Sequence, residues 1–168
     1  FMGNLAVRED HPTYFDLVLA NQVLGGSFSS RLVQDIRETK GYTYRIGSRL
    51  EHRLTSSLFR VLTPVRTEVA GPALEAVFAH LDRLRQKGVE PEELEKAKTF
   101  LAGSFARSRE TQEGLADALL HLKLQRLPDD FYDTYVERIG SVTAEGATGS
   151  PTKDAVLVDS ICPSPSML

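Results

Sequence analysis

Residues 24 to 44 read LGGSFSSRLVQDIRETKGYTY and contain three signals for local structure. Gly25-Gly26 follows apolar residues at helical spacing, which predicts that the two glycines end a helix as C-terminal capping residues. The serines of the SFSS segment are N-cap residue types, so a second helix is expected to begin there. Gly41 ends that second helix.

The residues after Gly41 alternate between apolar and polar side chains. Tyr44, Ile46, Ser48 and Leu50 fall on one face of a strand that is expected to begin at Tyr44. A second strand, about Ser57 to Pro64, pairs back through a turn at residues 53–56. Upstream of the quoted stretch, the pattern predicts a short strand at residues 5–7 and a helix at residues 12–24.

From Thr67 onward the apolar spacing is helical. Gly88 closes the first of these helices, and Glu90-Pro91 begins the next with proline in its first turn. Two further helices are expected at residues 112–125 and 128–139. This order of elements predicts an α+β fold, in which an antiparallel-rich sheet is covered on one face by helices as a two-layer sandwich.

The sequence changes character after Val142. A helix starts at Thr143, but Gly146, Gly149 and Pro151 are expected to break it at once. We therefore divide the chain into a domain at residues 1–142 and an atypical tail at 143–168. The tail is expected to contain at most one short strand near 155–158 and to be otherwise disordered.

Composition excludes several classes of function. The 168 residues carry a net charge of −3, so the chain lacks the overall positive charge typical of proteins that bind nucleic acid or anionic membranes. No apolar run reaches the roughly 18 residues of a membrane helix. We expect a soluble protein, cytoplasmic or periplasmic if bacterial, with neither nucleic acid nor membrane as a partner.

The sequence contains no recognisable catalytic or metal-binding motif. The four histidines, at positions 11, 52, 80 and 121, are far apart, and neither H-x-x-E-H nor H-E-x-x-H occurs. Each histidine is interpreted as a surface or partly buried polar residue. Cys162 is the one cysteine, and its Pro- and Ser-rich surroundings do not favour a catalytic thiol. We predict no catalytic residue and no bound metal or cofactor in this chain.

Arg37 and Tyr44 are the candidate binding residues. A helix end and a strand start, seven residues apart, can bring a guanidinium and a phenol to the same edge of the sheet. Both groups donate hydrogen bonds, and carbonyl oxygens of an extended peptide would accept them. The residues alone leave a second reading open, in which Arg37 interacts with the helix dipole and Tyr44 packs on the sheet.

The quoted stretch resembles the signature of the second, non-catalytic domain of pitrilysin/insulinase-type zinc metallopeptidases. The shared pattern is a leucine and two glycines, a serine pair before Arg-Leu, and then R-E-x-x-G-x-x-Y. The resemblance continues through GNLAVREDHPTYFDLVLANQ upstream and GVEPEELEKAKTFL downstream, and it spans roughly residues 3–142. It implies the metallopeptidase type of two-layer sandwich.

The resemblance also implies a function. In this family, one domain carries zinc on an H-x-x-E-H helix, and a homologous second domain faces it across a closed chamber. The second domain's Arg and Tyr hold the substrate backbone, and in this sequence Arg37 and Tyr44 occupy those positions. Zinc is then expected in the partner domain or subunit, and a peptide is the expected substrate. A homodimer that mimics the two-domain arrangement is also expected.

Three alternatives remain open from the sequence. The chain can be a purely structural subunit of the same fold, like the core proteins of the respiratory cytochrome bc1 complex. It can also be a stand-alone module that binds extended peptides. An independent hydrolase is the least favoured alternative, because no activated nucleophile or metal cluster is visible.

Overall fold

The computed structural model describes residues 1 to 148. The strands are β1 (Met2–Ala6), β2 (Gly47–His52) and β3 (Ser57–Leu62). The α-helices are α1 (Tyr14–Asn21), α2 (Ala70–Lys87), α3 (Pro91–Ser108), α4 (Gln112–Gln125), α5 (Tyr135–Ser141) and α6 (Ala144–Thr148). Two π-helical segments, π1 (Gln22–Gly26) and π2 (Val33–Thr39), and a 3₁₀ turn (Thr67–Val69) complete the described elements.

The three strands form an antiparallel sheet in the order β1-β3-β2. Met2 pairs with Val61 on one side of β3, and Ser48 pairs with Val61 on the other. Arg53 N donates to Ser56 O at 3.1 Å and closes the β2–β3 hairpin, as the sequence predicted. Because side chains alternate along each strand, this register places every second residue on the same face of the sheet.

Helices cover one face of the sheet. Phe59 and Val61 of β3 are each 2% exposed, and they point toward the core that α1, π1, α2 and α3 complete. Leu5 and Leu62 lie on the opposite face and are 64% and 46% exposed. The α+β class, with helices on one face of an antiparallel sheet, is confirmed.

Strand β2 begins later than the sequence predicted. It starts at Gly47, so Tyr44 lies in the loop that precedes the strand rather than on it. Ile46 and Ser48 are buried as expected, at 6% and 5% exposure, whereas Tyr44 is 95% exposed. Alternation alone extended the strand by three residues too many, because backbone groups of this loop bond outside the sheet, as Arg45 N does to Thr43 Oγ1.

The role of the glycine pair also differs from the prediction. Among the described glycines, only Gly41 and Gly88 have a positive φ, of 63° and 71°. Gly25 is buried in π1, and a Cβ there would lie 2.6 Å from Ser48 N in β2. The serines were expected to cap the second helix, but no side chain caps the start of π2. The Ser30 hydroxyl instead donates to Ser27 O at 2.6 Å. Gly25 therefore permits close contact between a helix and a strand.

The C-terminal helix forms where a break was expected. Helix α6 continues through Gly146. A Cβ at that position would lie 2.7 Å from Asp16 Oδ1, so the glycine allows α6 to pack closely against α1. Ala147 is fully buried, and Thr148 Oγ1 accepts a hydrogen bond from Val89 N at 3.2 Å. The expectation that Gly146, Gly149 and Pro151 break this helix at once is wrong for Gly146, which lies inside α6, and Gly149 and Pro151 lie outside the described residues. The strand expected near 155–158 and Cys162 lie outside the described residues.

Two features of the helices complete the comparison with the sequence. Helix α4 has the predicted bounds, whereas α5 begins at Tyr135, later than the predicted start at Pro128. Successive turns, including Phe131 N to Pro128 O and Asp133 N to Asp130 O, occupy the intervening residues. Within residues 1–148, no helix combines the length and the apolar character needed to cross a bilayer.

Candidate functional site

The loop that carries Tyr44 faces the segment that follows β3. Residues 41–44 and 64–66 form the walls of an open groove of about 810 Å³, and the C-terminal end of π2 contributes Arg37 and Glu38. Since Gly47 pairs with Leu62, both walls lie at one end of the β2–β3 hairpin, opposite its 53–56 turn. The groove is the place where the two predicted binding residues meet.

Thr43 joins the two walls of this groove. Its side chain is buried, and its hydroxyl donates to Pro64 O at 2.6 Å and accepts from Arg45 N at 3.2 Å. The residue before Tyr44 is therefore anchored to the opposite wall. Tyr44 projects from a fixed backbone position although its own side chain is exposed.

Arg37 is oriented by two neighbours. Its Nε lies 3.3 Å from Glu38 Oε1, and its guanidinium carbon lies 4.7 Å from the centroid of the Phe28 ring. The Arg37 side chain is 35% exposed, so an incoming ligand can still reach its remaining donors. A stacked guanidinium with one acidic neighbour is restrained without being fully paired.

The structure thus brings Arg37 and Tyr44 to the same groove. The alternative reading for Tyr44, packing on the sheet, is wrong because the ring is almost fully exposed. The dipole reading for Arg37 remains compatible with its position in the last turn of π2. The second wall, residues 64–66, was not predicted as part of the site.

A second polar cluster lies around Glu9. Its carboxylate is only 6% exposed and faces two imidazoles: His121 Nε2 lies 2.8 Å from Oε1, and His52 Nδ1 lies 3.4 Å from the same oxygen. The Tyr14 hydroxyl donates to Glu9 Oε2 at 3.5 Å. This cluster joins the loop after β1, the end of β2, and helices α1 and α4.

The two imidazoles of this cluster titrate differently. The hydrogen bond to Glu9 raises the pKa of His121 against opposing contributions from burial and Arg109. Burial lowers the pKa of His52, although Glu9 partly offsets that effect. Of the two imidazoles, His121 therefore holds its proton to the higher pH.

The variant His121→Gln is expected to be less stable than the wild type by about 1 kcal/mol near pH 6, a modest value because the side chain is 31% exposed. A raised native pKa adds stability below the pKa of the unfolded imidazole, and this stability is lost as pH rises through the native pKa. The difference should shrink toward pH 9. Urea denaturation of both proteins between pH 6 and 9 measures it.

The variant His11→Gln serves as the control, because His11 bonds locally to Thr13 and is not paired with Glu9. It measures the general effect on stability of replacing a histidine by glutamine outside the Glu9 cluster. A constant deficit for His121→Gln across the range would mean that the ion pair with Glu9 is not the source of the effect.

The sequence did not predict this cluster. Positions 9, 52 and 121 come from distant parts of the chain, and no short motif links them. Within residues 1–148, no group of three His, Cys, Asp or Glu side chains is placed to hold a metal ion.

Comparison with known proteins identifies the family of this chain. The model of the Peptidase M16 inactive domain matches residues 2–101. The uncharacterised zinc protease YmxG of Bacillus subtilis (strain 168) is 28% identical over 152 residues, which cover 86% of this chain and 37% of that protein. The chain therefore spans little more than a third of this relative.

Solved structures agree with the observed architecture. The peptidase M16 inactive domain from Pseudomonas fluorescens superposes with a TM-score of 0.79 at 26% identity, covering 87% of this chain and 35% of that one. A chain of complex III2 from Candida albicans superposes with a TM-score of 0.71 at 11% identity, covering 87% and 37% respectively, and it shows the fold alone. Because the family model covers more than half of its residues, this chain belongs to the Peptidase M16 inactive-domain family, as the motif at residues 24–44 predicted.

Proposed function

We propose that this chain is the non-catalytic half of a zinc metallopeptidase, and that it holds the peptide backbone with Arg37 and Tyr44. A second domain with the H-x-x-E-H motif, either in the same polypeptide or in a separate subunit, would hold the zinc and carry out hydrolysis. The observation that carries the proposal is the shared groove, which places a guanidinium and a fully accessible phenol on one surface. Family membership supports it.

The chemistry of the groove fits an extended peptide. A substrate backbone presents carbonyl oxygens that accept hydrogen bonds, and Arg37 and Tyr44 both donate. The buried Thr43 fixes the loop, so less conformational freedom is lost when Tyr44 engages a ligand. If one of these donors meets the oxygen that gains charge during cleavage, it stabilises the transition state as well as the bound substrate.

We also propose that this chain closes a chamber around the substrate, and the open face of the sheet suits that role. Leu5 pairs with Leu58 on that face, and Arg60 and Glu51 form an ion pair beside them. Leu5 and Leu62 on this side of the sheet are largely exposed, so the face is accessible to a partner. A facing domain would exclude water from the cleavage site, which strengthens hydrogen bonds to the substrate.

The test mixes this chain with an H-x-x-E-H subunit from the same source and zinc, and follows cleavage of a quenched fluorescent peptide. We expect activity from the mixture and none from either chain alone. Arg37→Gln and Tyr44→Phe are each expected to lower kcat/KM by about tenfold, the effect of one lost hydrogen bond to substrate. A lower kcat at saturating peptide would indicate a contact made in the transition state.

The control is Arg53→Gln, which removes an exposed arginine at the opposite end of the same hairpin. Its kinetics should match the wild type. Light scattering of each chain alone detects the expected homodimer and separates it from the mixed assembly. If the mixture is active but both groove variants match the wild type, a purely structural role replaces this proposal.

A further inference from the structure

The groove contains a second guanidinium that the motif does not include. Arg66 lies in the wall that follows β3, and its side chain is exposed. Arg37 and Glu38 neutralise each other across 3.3 Å, whereas Arg66 forms no ion pair with any residue in the described part of the chain. The charged residues of the groove therefore leave one positive charge unbalanced, and it is located at Arg66.

The position of Arg66 relative to the proposed backbone contacts is fixed by short connections. Thr43 bonds to Pro64, two residues before Arg66, and precedes Tyr44 directly. An extended peptide advances by about 3.3 Å per residue, so a ligand held at Tyr44 places a neighbouring side chain within reach of Arg66. A guanidinium binds a carboxylate through two parallel hydrogen bonds.

We infer that Arg66 gives the groove a preference for peptides with an acidic side chain beside the backbone segment held by Arg37 and Tyr44. This inference rests on the proposed function and adds the class of substrate to it. Glu38 is the acidic residue of the groove that could otherwise pair with Arg66. It is already paired with Arg37, so Arg66 stays available to an acidic side chain of the peptide. A lysine or arginine at the same peptide position would instead face an unbalanced positive charge.

The test uses quenched peptides of one alanine-rich sequence, in which Asp, Asn or Lys is placed at each position on either side of the cleaved bond. For the mixed assembly we expect one position where Asp exceeds Asn in kcat/KM by about fivefold, the size of a single exposed ion pair, with Lys lowest. Arg66→Gln should abolish the difference, and Arg66→Glu should make Lys the preferred residue. The Arg53→Gln control should retain the wild-type order.

Binding of the same peptides is measured in parallel by fluorescence anisotropy, with an uncharged label and with zinc removed by a chelator. The Asp preference should appear there too, and about 0.5 M salt should reduce it because exposed charges are screened. Cleavage that responds to Arg37→Gln but is equal for Asp, Asn and Lys peptides would overturn this inference alone. If the mixture neither cleaves nor binds any peptide, the proposed function and the inference both fail.

Discussion

The variant Gly25→Ala is expected to be less stable than the wild type by about 3 kcal/mol. A Cβ at this position would lie 2.5 Å from Ser48 Oγ and 2.6 Å from Ser48 N. The hydroxyl can rotate away, but the amide belongs to β2 and can move only if the strand or π1 shifts. Overpacking a filled core costs about 1–3 kcal/mol, and a clash with backbone lies at the upper end of that range.

Helical glycines with free space around them provide the matched controls. At Gly71 in α2 and Gly140 in α5, no atom outside the adjacent residues and the local helix backbone lies within 4 Å of the position that a Cβ would occupy. Alanine at either site should raise stability by about 0.5–1 kcal/mol, because the unfolded chain loses conformational freedom. Urea denaturation of all three variants gives the comparison. A Gly25→Ala protein within about 0.5 kcal/mol of the wild type would contradict the assigned role of the contact with Ser48.

Gly25 also shows which parts of the fold were readable from the sequence. The glycine pair was correctly placed at a change of structure, but its physical role depends on a strand more than twenty residues away, and local patterns carry no information on that contact. Gly41 and Gly88 were read correctly as helix ends, since a positive φ is a local property of the backbone. The start of α3 was equally readable, because its capping box at Glu90 and Glu93 is a local motif.

The residues of the candidate site also fall into those that the sequence predicted and those that depend on distant contacts. Arg37 and Tyr44 were selected by a family pattern, and both line one groove, while their role in binding stays a prediction. Residues 64–66 reach the groove only through strand pairing, and the separate Glu9 cluster forms only through packing of distant segments, so neither was predicted. Tyr44 was expected on a strand, and it lies instead in a loop that Thr43 anchors by hydrogen bonds to Pro64 and Arg45, which alternation of apolar residues cannot reveal.

The second large effect is expected at Arg31, which joins the start of the second helical segment to α3. Arg31 Nε donates to Glu93 Oε1 at 2.9 Å, Nη2 donates to Glu93 Oε2 at 2.5 Å, and Nη2 also donates to Gly88 O at 2.9 Å. The Arg31 side chain is 7% exposed and that of Glu93 is 34% exposed. Arg31→Met should lower the free energy of unfolding by about 3 kcal/mol, the lower end for breaking a buried pair, because Glu93 retains contact with water.

Titration distinguishes the ion pair from simple loss of packing. Burial acts to raise the pKa of Glu93, but hydrogen bonds from Arg31 and from the backbone of Glu90 outweigh it, so the native pKa lies below its ordinary value. A lowered native pKa adds stability above the pKa of the unfolded carboxyl, and that stability is lost as pH falls through the native pKa. The deficit of Arg31→Met should therefore be largest near pH 7 and become smaller below about pH 4.

The exposed pair Glu92–Lys96 on the same helix is the control, since its side chains are 81% and 69% exposed. Lys96→Met should change stability by less than about 0.5 kcal/mol. In the double variant Arg31→Met, Glu93→Gln, removal of the unpaired carboxylate should recover part of the loss, because a neutral amide costs less to leave without its partner. If the loss in the double variant instead equals the sum of the losses in Arg31→Met and Glu93→Gln, the contact with Glu93 contributes little. Arg31 would then stabilise the fold through Gly88 and packing.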